Sequence, residues 1–171
     1  DINNAVAWLD ASTTPDSTVV IFYAGHVRKL DSQTEAIVAA DGGVLPDWYL
    51  ARQLDPLPAH NTWIVMAACY GGGFDELMKP GRILTAAADA NSLAYENTTY
   101  GNSYLVEYMV DRAMREGRAA GSVEASYMWA YDALRRDHPN RMPVQYDDVD
   151  GELRLGPPPA GPPPGQTSQP S

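Results

Sequence analysis

The feature that most constrains the fold of this chain is a pair of apolar runs, each followed within two residues by a reactive side chain. One run, Thr18–Ala24, leads through Gly25 into His26, and the other, residues 62–68, leads into Cys69, the single cysteine of the sequence. Short apolar runs bounded by polar turns are typical of buried parallel strands. Chemistry in open α/β sheets collects at the carboxyl ends of such strands. The pattern therefore predicts that an imidazole and a thiol meet at one edge of a sheet.

The rest of the sequence alternates strand-like and helix-like segments. Apolar periodicity predicts helices over residues 1–12, 47–54, 103–115 and 122–136, with further strand-like segments at residues 36–40, 82–86 and 152–155. Such alternation predicts an α/β fold with a mostly parallel sheet between helical layers. Only three convincing core strands precede the long helices, whereas sheets average about five or six strands. We therefore expect one or two strands of the fold to be missing upstream, or to be supplied by another chain.

Composition narrows the classes of partner. The chain of 171 residues has a formal net charge of −10, which argues against nucleic acid because phosphate binding needs clustered Lys and Arg. A single cysteine excludes an internal disulfide and a cysteine-cluster metal site. No apolar run reaches the roughly 18 residues that a membrane span needs. The acidic composition and the Pro-rich end favour an extracytoplasmic location.

The end of the chain differs in composition from the rest. Residues 156–171 read Gly-Pro-Pro-Pro-Ala-Gly-Pro-Pro-Pro-Gly and then a short polar stretch. This composition buries no core and predicts a disordered, semi-extended linker or tail. A Pro-rich interaction ligand is the alternative, which the lack of Arg or Lys beside the prolines disfavours. The folded domain is therefore predicted over residues 1–155.

Cys69 and His26 are the candidate reactive pair. Free cysteines are commonly buried, but Cys69 ends a predicted strand and precedes Gly71–Gly73, whose backbone N–H groups can converge on an oxyanion. A thiolate is the working nucleophile, and a neighbouring imidazole can favour it and protonate a leaving amine. His60 precedes the second apolar run and so falls at the opposite end of the sheet, while His138 is predicted in a surface turn.

The same segments resemble the caspase-like cysteine peptidases, the clan that includes caspases, metacaspases, legumain and gingipains. Residues 19–26 resemble its strand–His block, residues 64–74 its strand–Cys block, and residues 83–96 the following strand with its specificity loop. The chain looks most similar to bacterial caspase-like or legumain-like members. The resemblance implies a three-layer caspase-like fold lacking its N-terminal βαβ part. It also implies a cysteine endopeptidase that needs no cofactor, in which Cys69 is the nucleophile and His26 the general acid and base.

Two positions depart from the clan's pattern. Val27 stands where a glycine usually follows the histidine, and Ala67 stands two residues before the nucleophile, where an acidic residue or Gln is common. The resemblance implies that the backbone N–H groups of Val27 and Cys69 form the oxyanion hole, which a stiff valine permits only if its backbone is extended. A catalytically inactive, caspase-like interaction module is the alternative function, although such a module need not retain both His26 and Cys69.

Charges near the reactive pair bear on the substrate residue before the scissile bond, P1. In the clan, the loop after the strand at residues 82–86 helps line the P1 pocket, and here it carries Asp89, Ser92 and Glu96. A buried carboxylate there would select Lys or Arg through a charge-assisted contact. The alternative is that Asp89 caps its own loop and Glu96 faces water. Arg28, close behind the histidine, would instead favour Asp or Asn at P1.

One acidic segment resembles part of a calcium-binding loop. Asp148 and Asp150 fit its spacing, but Tyr146 and Pro157 occupy the end positions of an EF-hand loop, where ligands are required. We therefore predict a polar turn before the final strand and no metal site, with calcium dependence left open. The expected partners are peptide or protein substrates and, for the missing strands, an upstream segment of the same chain.

Overall fold

The computed structural model describes residues 2–119 and 121–156, so the expected Pro-rich tail, apart from Gly156, lies outside the described residues. The helices are α1 (Ile2–Ser12), α2 (Asp47–Leu54), a π-helical segment (Val106–Arg115) and α3 (Val123–Asp137). The strands are β1 (Thr18–Ala24), β2 (Val27–Lys29), β3 (Glu35–Val38), β4 (Val44–Pro46), β5 (Asn61–Ala67), β6 (Arg82–Ala86), β7 (Glu96–Asn97), β8 (Asn102–Ser103) and β9 (Val144–Asp147). Within the described ranges, no helix is long and apolar enough to cross a membrane.

A four-stranded sheet in the order β1–β5–β6–β9 forms the centre of the fold. β1, β5 and β6 run parallel, and β9 runs antiparallel to β6, so the predicted mostly parallel sheet is confirmed. The register pairs Thr18 with Asn61 and Ala24 with Ala67, so the two apolar runs end level with each other. β1 is an edge strand of this sheet, and two small antiparallel sheets, β2–β3–β4 and β7–β8, accompany it.

Alternating side chains of the central strands build two hydrophobic cores. On one face, Ile64 of β5 belongs to a buried cluster with Leu54 of α2 and the apolar side of α1. On the other face, Trp63 of β5 belongs to a cluster with Tyr108 of the π-helical segment and Leu134 of α3. The sheet is therefore covered by helices on both sides. The predicted three-layer α/β arrangement is confirmed.

A buried arginine fastens the sheet to α2. Arg82, the first residue of β6, donates hydrogen bonds to the carbonyl oxygens of Leu54 at 2.6 Å and Leu77 at 2.7 Å. Burial lowers the pKa of this guanidinium. Because Leu54 ends α2, the cation also lies at the negative end of the helix dipole. The side chain therefore links the start of β6 to the end of α2 and to the turn that contains Leu77.

The last strand lies elsewhere than the sequence suggests. It is β9, Val144–Asp147, and residues 148–156 contain no strand, so the prediction of a strand at residues 152–155 is wrong. Leu153 instead docks beside the start of α3. Its N–H donates to Oε1 of Glu124 at 2.8 Å, and its carbonyl accepts the N–H of Val123 at 2.9 Å. These bonds occupy the backbone groups that a sheet strand would use.

The helix predicted over residues 103–115 starts later and has a different form. Ser103 lies in β8 and pairs with Glu96 of β7. The regular helical segment that follows, Val106–Arg115, is π-helical. Ser103 is therefore paired in the hairpin, and the helix begins directly after it, with residues 104–105 still α-helical.

Candidate active site

His26 and Cys69 follow neighbouring strands at matching positions. Ala24 at the end of β1 is paired with Ala67 at the end of β5, and each candidate residue follows its strand by two positions. Neighbouring strands lie about 4.8 Å apart. The register therefore brings the imidazole-bearing and thiol-bearing residues to the same edge of the sheet. His26 is exposed, whereas Cys69 is half-buried.

The thiol of Cys69 faces the loop that follows β6. Its Sγ donates a hydrogen bond to the carbonyl oxygen of Ala94 at 3.6 Å. The next residue, Tyr70, donates its N–H to the carbonyl oxygen of Ser92 at 2.9 Å. Tyr70 has a left-handed backbone with φ of 56°, a conformation that costs a non-glycine residue about 1–3 kcal/mol. The loop contact thus holds a sharp turn directly after the thiol.

The glycine run packs tightly beneath this loop. Gly72 donates its N–H to the carbonyl oxygen of Ala88 and Gly73 donates to that of Tyr70, both at 2.9 Å. The expectation that the N–H groups of Gly71–Gly73 converge on an oxyanion is therefore wrong for two of the three. A methyl group on Gly72 would lie 2.9 Å from the Cα of Asp89. Because Gly72 has no side chain, the turn can pack closely against the loop after β6.

Val27 has the extended backbone that a role in the oxyanion hole requires of a valine. It lies in β2 with an extended backbone and a buried side chain. The N–H of Val38 donates to the carbonyl oxygen of His26 at 2.8 Å, so Val27 and Ile37 form a non-hydrogen-bonded pair of the β2–β3 ladder. The N–H of Val27 therefore points away from β3. Because β2 is an edge strand of its small sheet, this N–H faces outward from the ladder.

A cavity of about 210 Å³ lies along the loop after β6, and its wall includes Ala94, the hydrogen-bond partner of the thiol, but not Cys69 itself. We call it the Cys-side cavity; it is lined by residues 87–89, 92–95, 104–105 and 139–142. Asp89 and Ser92, two of the residues expected to contact substrate, contribute to its wall, as does Ala94, the partner of the thiol. Arg28 and Glu96 do not line it and are exposed on β2 and β7. The structure thus brings Asp89 and Ser92 toward Cys69, and leaves the other two outside this cavity.

The Cys-side cavity contains charges of both signs. Asp89 is exposed rather than buried, and its Oδ1 accepts the N–H of Asn91 at 2.7 Å, so this carboxylate caps its own loop with one of its two oxygens. The guanidinium of Arg141 stacks on Tyr95, 3.6 Å from the ring centroid, and lies 5.8 Å from the centroid of Tyr104. Its positive charge is therefore engaged by aromatic faces.

A partly buried ion pair connects this loop to the β2–β3 hairpin. Nζ of Lys29 lies 3.0 Å from Oε1 of Glu35 and donates to the carbonyl oxygen of Ala90 at 2.8 Å. Glu35 is 2% exposed, and burial raises the pKa of its carboxyl above the ordinary value, an effect that the hydrogen bond from Lys29 opposes. The same carboxylate lies against Gly73. One lysine thus connects the hairpin, the glycine run and the loop that forms the cavity.

The other two histidines are remote from the pair in different ways. His60 directly precedes β5 and is exposed, at the end of the strand opposite Cys69. His138 follows α3, and its ring packs 4.7 Å from the ring of Tyr104 and 5.9 Å from that of Tyr108. It is half-buried in an aromatic cluster rather than free in a surface turn, because α3 ends against the π-helical segment.

No metal-binding cluster forms among residues 2–119 and 121–156, where no three His, Cys, Asp or Glu side chains are grouped suitably for an ion. In the acidic segment after β9, Oδ1 of Asp147 accepts the N–H of Val149 at 3.0 Å. The carboxylate therefore stabilises a turn of the chain.

Comparison with solved structures identifies the fold. The chain is similar to protein GSU0716 from Geobacter sulfurreducens, with a TM-score of 0.68 and 13% identity over 90% of this chain and 76% of that one. It is also similar to caspase-1 from Spodoptera frugiperda (TM-score 0.53, 14% identity, 94% and 71% coverage) and to drICE (0.53, 15%, 91% and 73%). No known family profile and no curated protein sequence matches the chain. The structural likeness shows a caspase-like fold.

Three residues that contribute to the site were missed in the sequence. Lys29 and Glu35 flank a polar loop, where charged residues are usually solvated, and only the hairpin pairing brings them together. Arg141 lies in a polar segment far along the chain, and no sequence signal links it to Tyr95. One sequence feature could have drawn attention to Glu35. It is a charged residue directly at the start of the apolar stretch that forms β3.

Proposed function

We propose that this protein is a cysteine endopeptidase in which Cys69 is the nucleophile and His26 the general acid and base. The observation that carries the proposal is the register of β1 and β5, which places the two residues at equivalent positions on one sheet edge. The cavity beside Cys69 and the caspase-like fold support it.

The chemistry follows from these two side chains. The Cys69 thiolate attacks the carbonyl carbon of the scissile peptide bond and forms a C–S bond. The His26 imidazolium then protonates the leaving nitrogen as the C–N bond breaks, which leaves a thioester on Cys69. In the second half, His26 accepts a proton from water, the hydroxide attacks the thioester, and the product acid leaves as the thiolate is regenerated.

The oxyanion of each tetrahedral intermediate needs hydrogen-bond donors. We assign this role to the backbone N–H groups of Val27 and Cys69. The extended backbone of Val27 and the outward direction of its N–H support the assignment. A backbone donor is unaffected by the change from glycine to valine as long as the strand conformation is kept.

For the P1 side chain we propose Lys or Arg. The free oxygen of the Asp89 carboxylate in the Cys-side cavity would bind the cation, whereas the Arg141 guanidinium is already stacked on Tyr95. A P1-scanning peptide library, run with wild type, Asp89→Asn and Arg141→Gln, tests this choice. Selection of Asp or Asn at P1, lost in Arg141→Gln, would reverse the assignment.

Turnover of the full chain tests the reactive pair. Cys69→Ala should abolish cleavage, and His26→Ala should reduce kcat by a comparable factor, on the order of 10³ or more, because members of one catalytic unit lose their effect together. His60→Ala is the matched control at the other end of the strand and should leave the rate unchanged. Cleavage that survives Cys69→Ala, or falls equally with His60→Ala, would contradict the assignment.

An inactive interaction module is the second candidate, and the valine at position 27 is the feature that favours it. A thiol-reactive peptide probe separates the two functions. An enzyme should be labelled selectively at Cys69, with labelling much slower in His26→Ala. Labelling that is slow and independent of His26 would favour the module.

A further inference from the structure

A second and larger depression borders His26. It has a volume of about 910 Å³ and is lined by His26 and the end of β1, by the β3–β4 hairpin and by the start of α1. We call it the His-side groove. Cys69 does not contribute to its wall, whereas His26 does not line the Cys-side cavity. His26 therefore borders the groove, whereas Cys69 lines neither depression and meets the Cys-side cavity through Ala94, the hydrogen-bond partner of its thiol.

This division assigns a direction to the substrate. The acyl half of a cleaved peptide becomes bonded to Cys69, whose thiol contacts Ala94 in the wall of the Cys-side cavity. The departing amine receives its proton from His26, so the chain that begins with that nitrogen must leave past His26. Resting on the proposed function, we propose that the His-side groove binds the substrate residues that follow the scissile bond, P1′ and P2′, and selects apolar side chains there.

The residues that line the groove determine which P1′ and P2′ side chains it would bind. Its walls include the apolar residues Ile37, Val38, Val44 and Leu45. The carboxylate it contains, that of Asp41, accepts the N–H of Gly43 at 2.9 Å and would repel an acidic substrate residue. Ligand sites commonly have about 300–1,000 Å³ and are lined mostly by apolar groups. The volume therefore suits more than one residue, with leucine-like side chains bound best and acidic ones worst.

Acyl transfer to added amines tests the groove directly. The full chain would be acylated with a peptidyl aminomethylcoumarin carrying the P1 residue selected by the library, and amino acid amides would compete with water for the thioester. The amine nitrogen attacks the thioester carbon, gives a proton to His26, and displaces the Cys69 thiolate as the new C–N bond forms. The measured quantity is the ratio of ligated to hydrolysed peptide for leucinamide, glycinamide and aspartic acid α-amide.

We expect leucinamide to be ligated about tenfold or more in excess of glycinamide, the usual range for filling an apolar pocket, with aspartic acid α-amide lowest. Val44→Asp places a charge in the groove at a residue that is 37% exposed, and should bring leucinamide down to the level of glycinamide. Leu30→Asp, 42% exposed beyond the far end of β2 and outside the groove, is the matched control and should keep the leucinamide preference.

The outcomes separate the two proposals. If wild type releases coumarin but ligates the three amides equally, the groove assignment alone is overturned. This test uses only wild type, so it does not depend on whether a variant folds. An unchanged leucinamide preference in a folded Val44→Asp protein would do the same. Failure of wild type to release coumarin from any substrate in the library would overturn the proposed function, and the groove assignment with it.

Discussion

The ion pair between Lys29 and Glu35 offers a test of how the loop after β6 is held in place. Lys29→Met keeps an unbranched side chain but leaves the buried Glu35 carboxylate without its cation. Breaking a fully buried pair costs about 3–5 kcal/mol. The Lys29 side chain is 27% exposed, so water reaches one side of the pair, and we expect a loss of about 2 kcal/mol.

Thermal and urea unfolding of the full chain measure this loss. For a domain of this size, about 2 kcal/mol corresponds to a Tm lower by about 4–8 °C. Lys79→Met is the matched control, because the partner of Lys79, Asp55, is 67% exposed and the Nζ–Oδ1 distance is 3.7 Å. The control should change stability by no more than about 0.5 kcal/mol.

The pH dependence identifies the cause of the loss. Burial raises the pKa of Glu35 in the folded protein above 4.5, so above that pH the folded state binds more protons than the unfolded state, and this group's contribution falls as pH rises. Removing Lys29 raises the pKa further. The difference between wild type and Lys29→Met should therefore be large at pH 7 and shrink as pH falls toward 4.5. An equal loss at both pH values would refute an uncompensated carboxylate as its origin.

The same variant should affect catalysis through the loop. Because Lys29 also holds Ala90 beside the Cys-side cavity, we expect a larger change in KM than in kcat. A fall in kcat with an unchanged KM would contradict a role of Lys29 in holding the loop after β6.

Three further changes test the packing. Arg82→Met removes two charged hydrogen bonds to buried carbonyl groups and should cost about 2–4 kcal/mol in urea unfolding; a loss below about 1 kcal/mol would show that water replaces them. Gly73→Ala would overlap the Glu35 carboxylate and should cost about 1–3 kcal/mol, whereas Gly156→Ala meets open space and should be neutral. Burial raises the pKa of Tyr127 to about 12. The unfolded chain releases this proton near pH 10, so wild type should lose stability as pH rises from about 10 to 12; Tyr127→Phe should lose less, and identical pH slopes would contradict this origin.

Hydrophobic patterning predicted the elements that carry the candidate pair. β1 and β6 have the predicted bounds, and β5 begins and ends one residue earlier than predicted. β5 and β6 are buried along almost their whole length, so their apolar runs match their environment. β1 has the predicted bounds but not the predicted burial, because it is an edge strand in which exposed positions alternate with buried or half-buried ones, and Val20 and Phe22 are 46% and 49% exposed. The β9 strand was missed because it is short, follows a proline and has two exposed residues, and its place in the sheet depends on pairing with β6.

What the sequence by itself determined is the local order: which segments are strands, and that a histidine and the cysteine follow two of them. These properties depend on neighbouring residues, whose apolar spacing selects strand or helix directly. The tertiary structure alone decided that β1 and β5 are adjacent and level, that Leu153 docks on α3, and that Lys29 reaches both Glu35 and Ala90. It also placed His26 in the wall of one depression and Ala94, the partner of the thiol, in the wall of another. These features depend on contacts between segments that are distant in the sequence. The free energy of those contacts is set by burial and strand pairing once the layers have packed, so residue spacing along the chain cannot predict them.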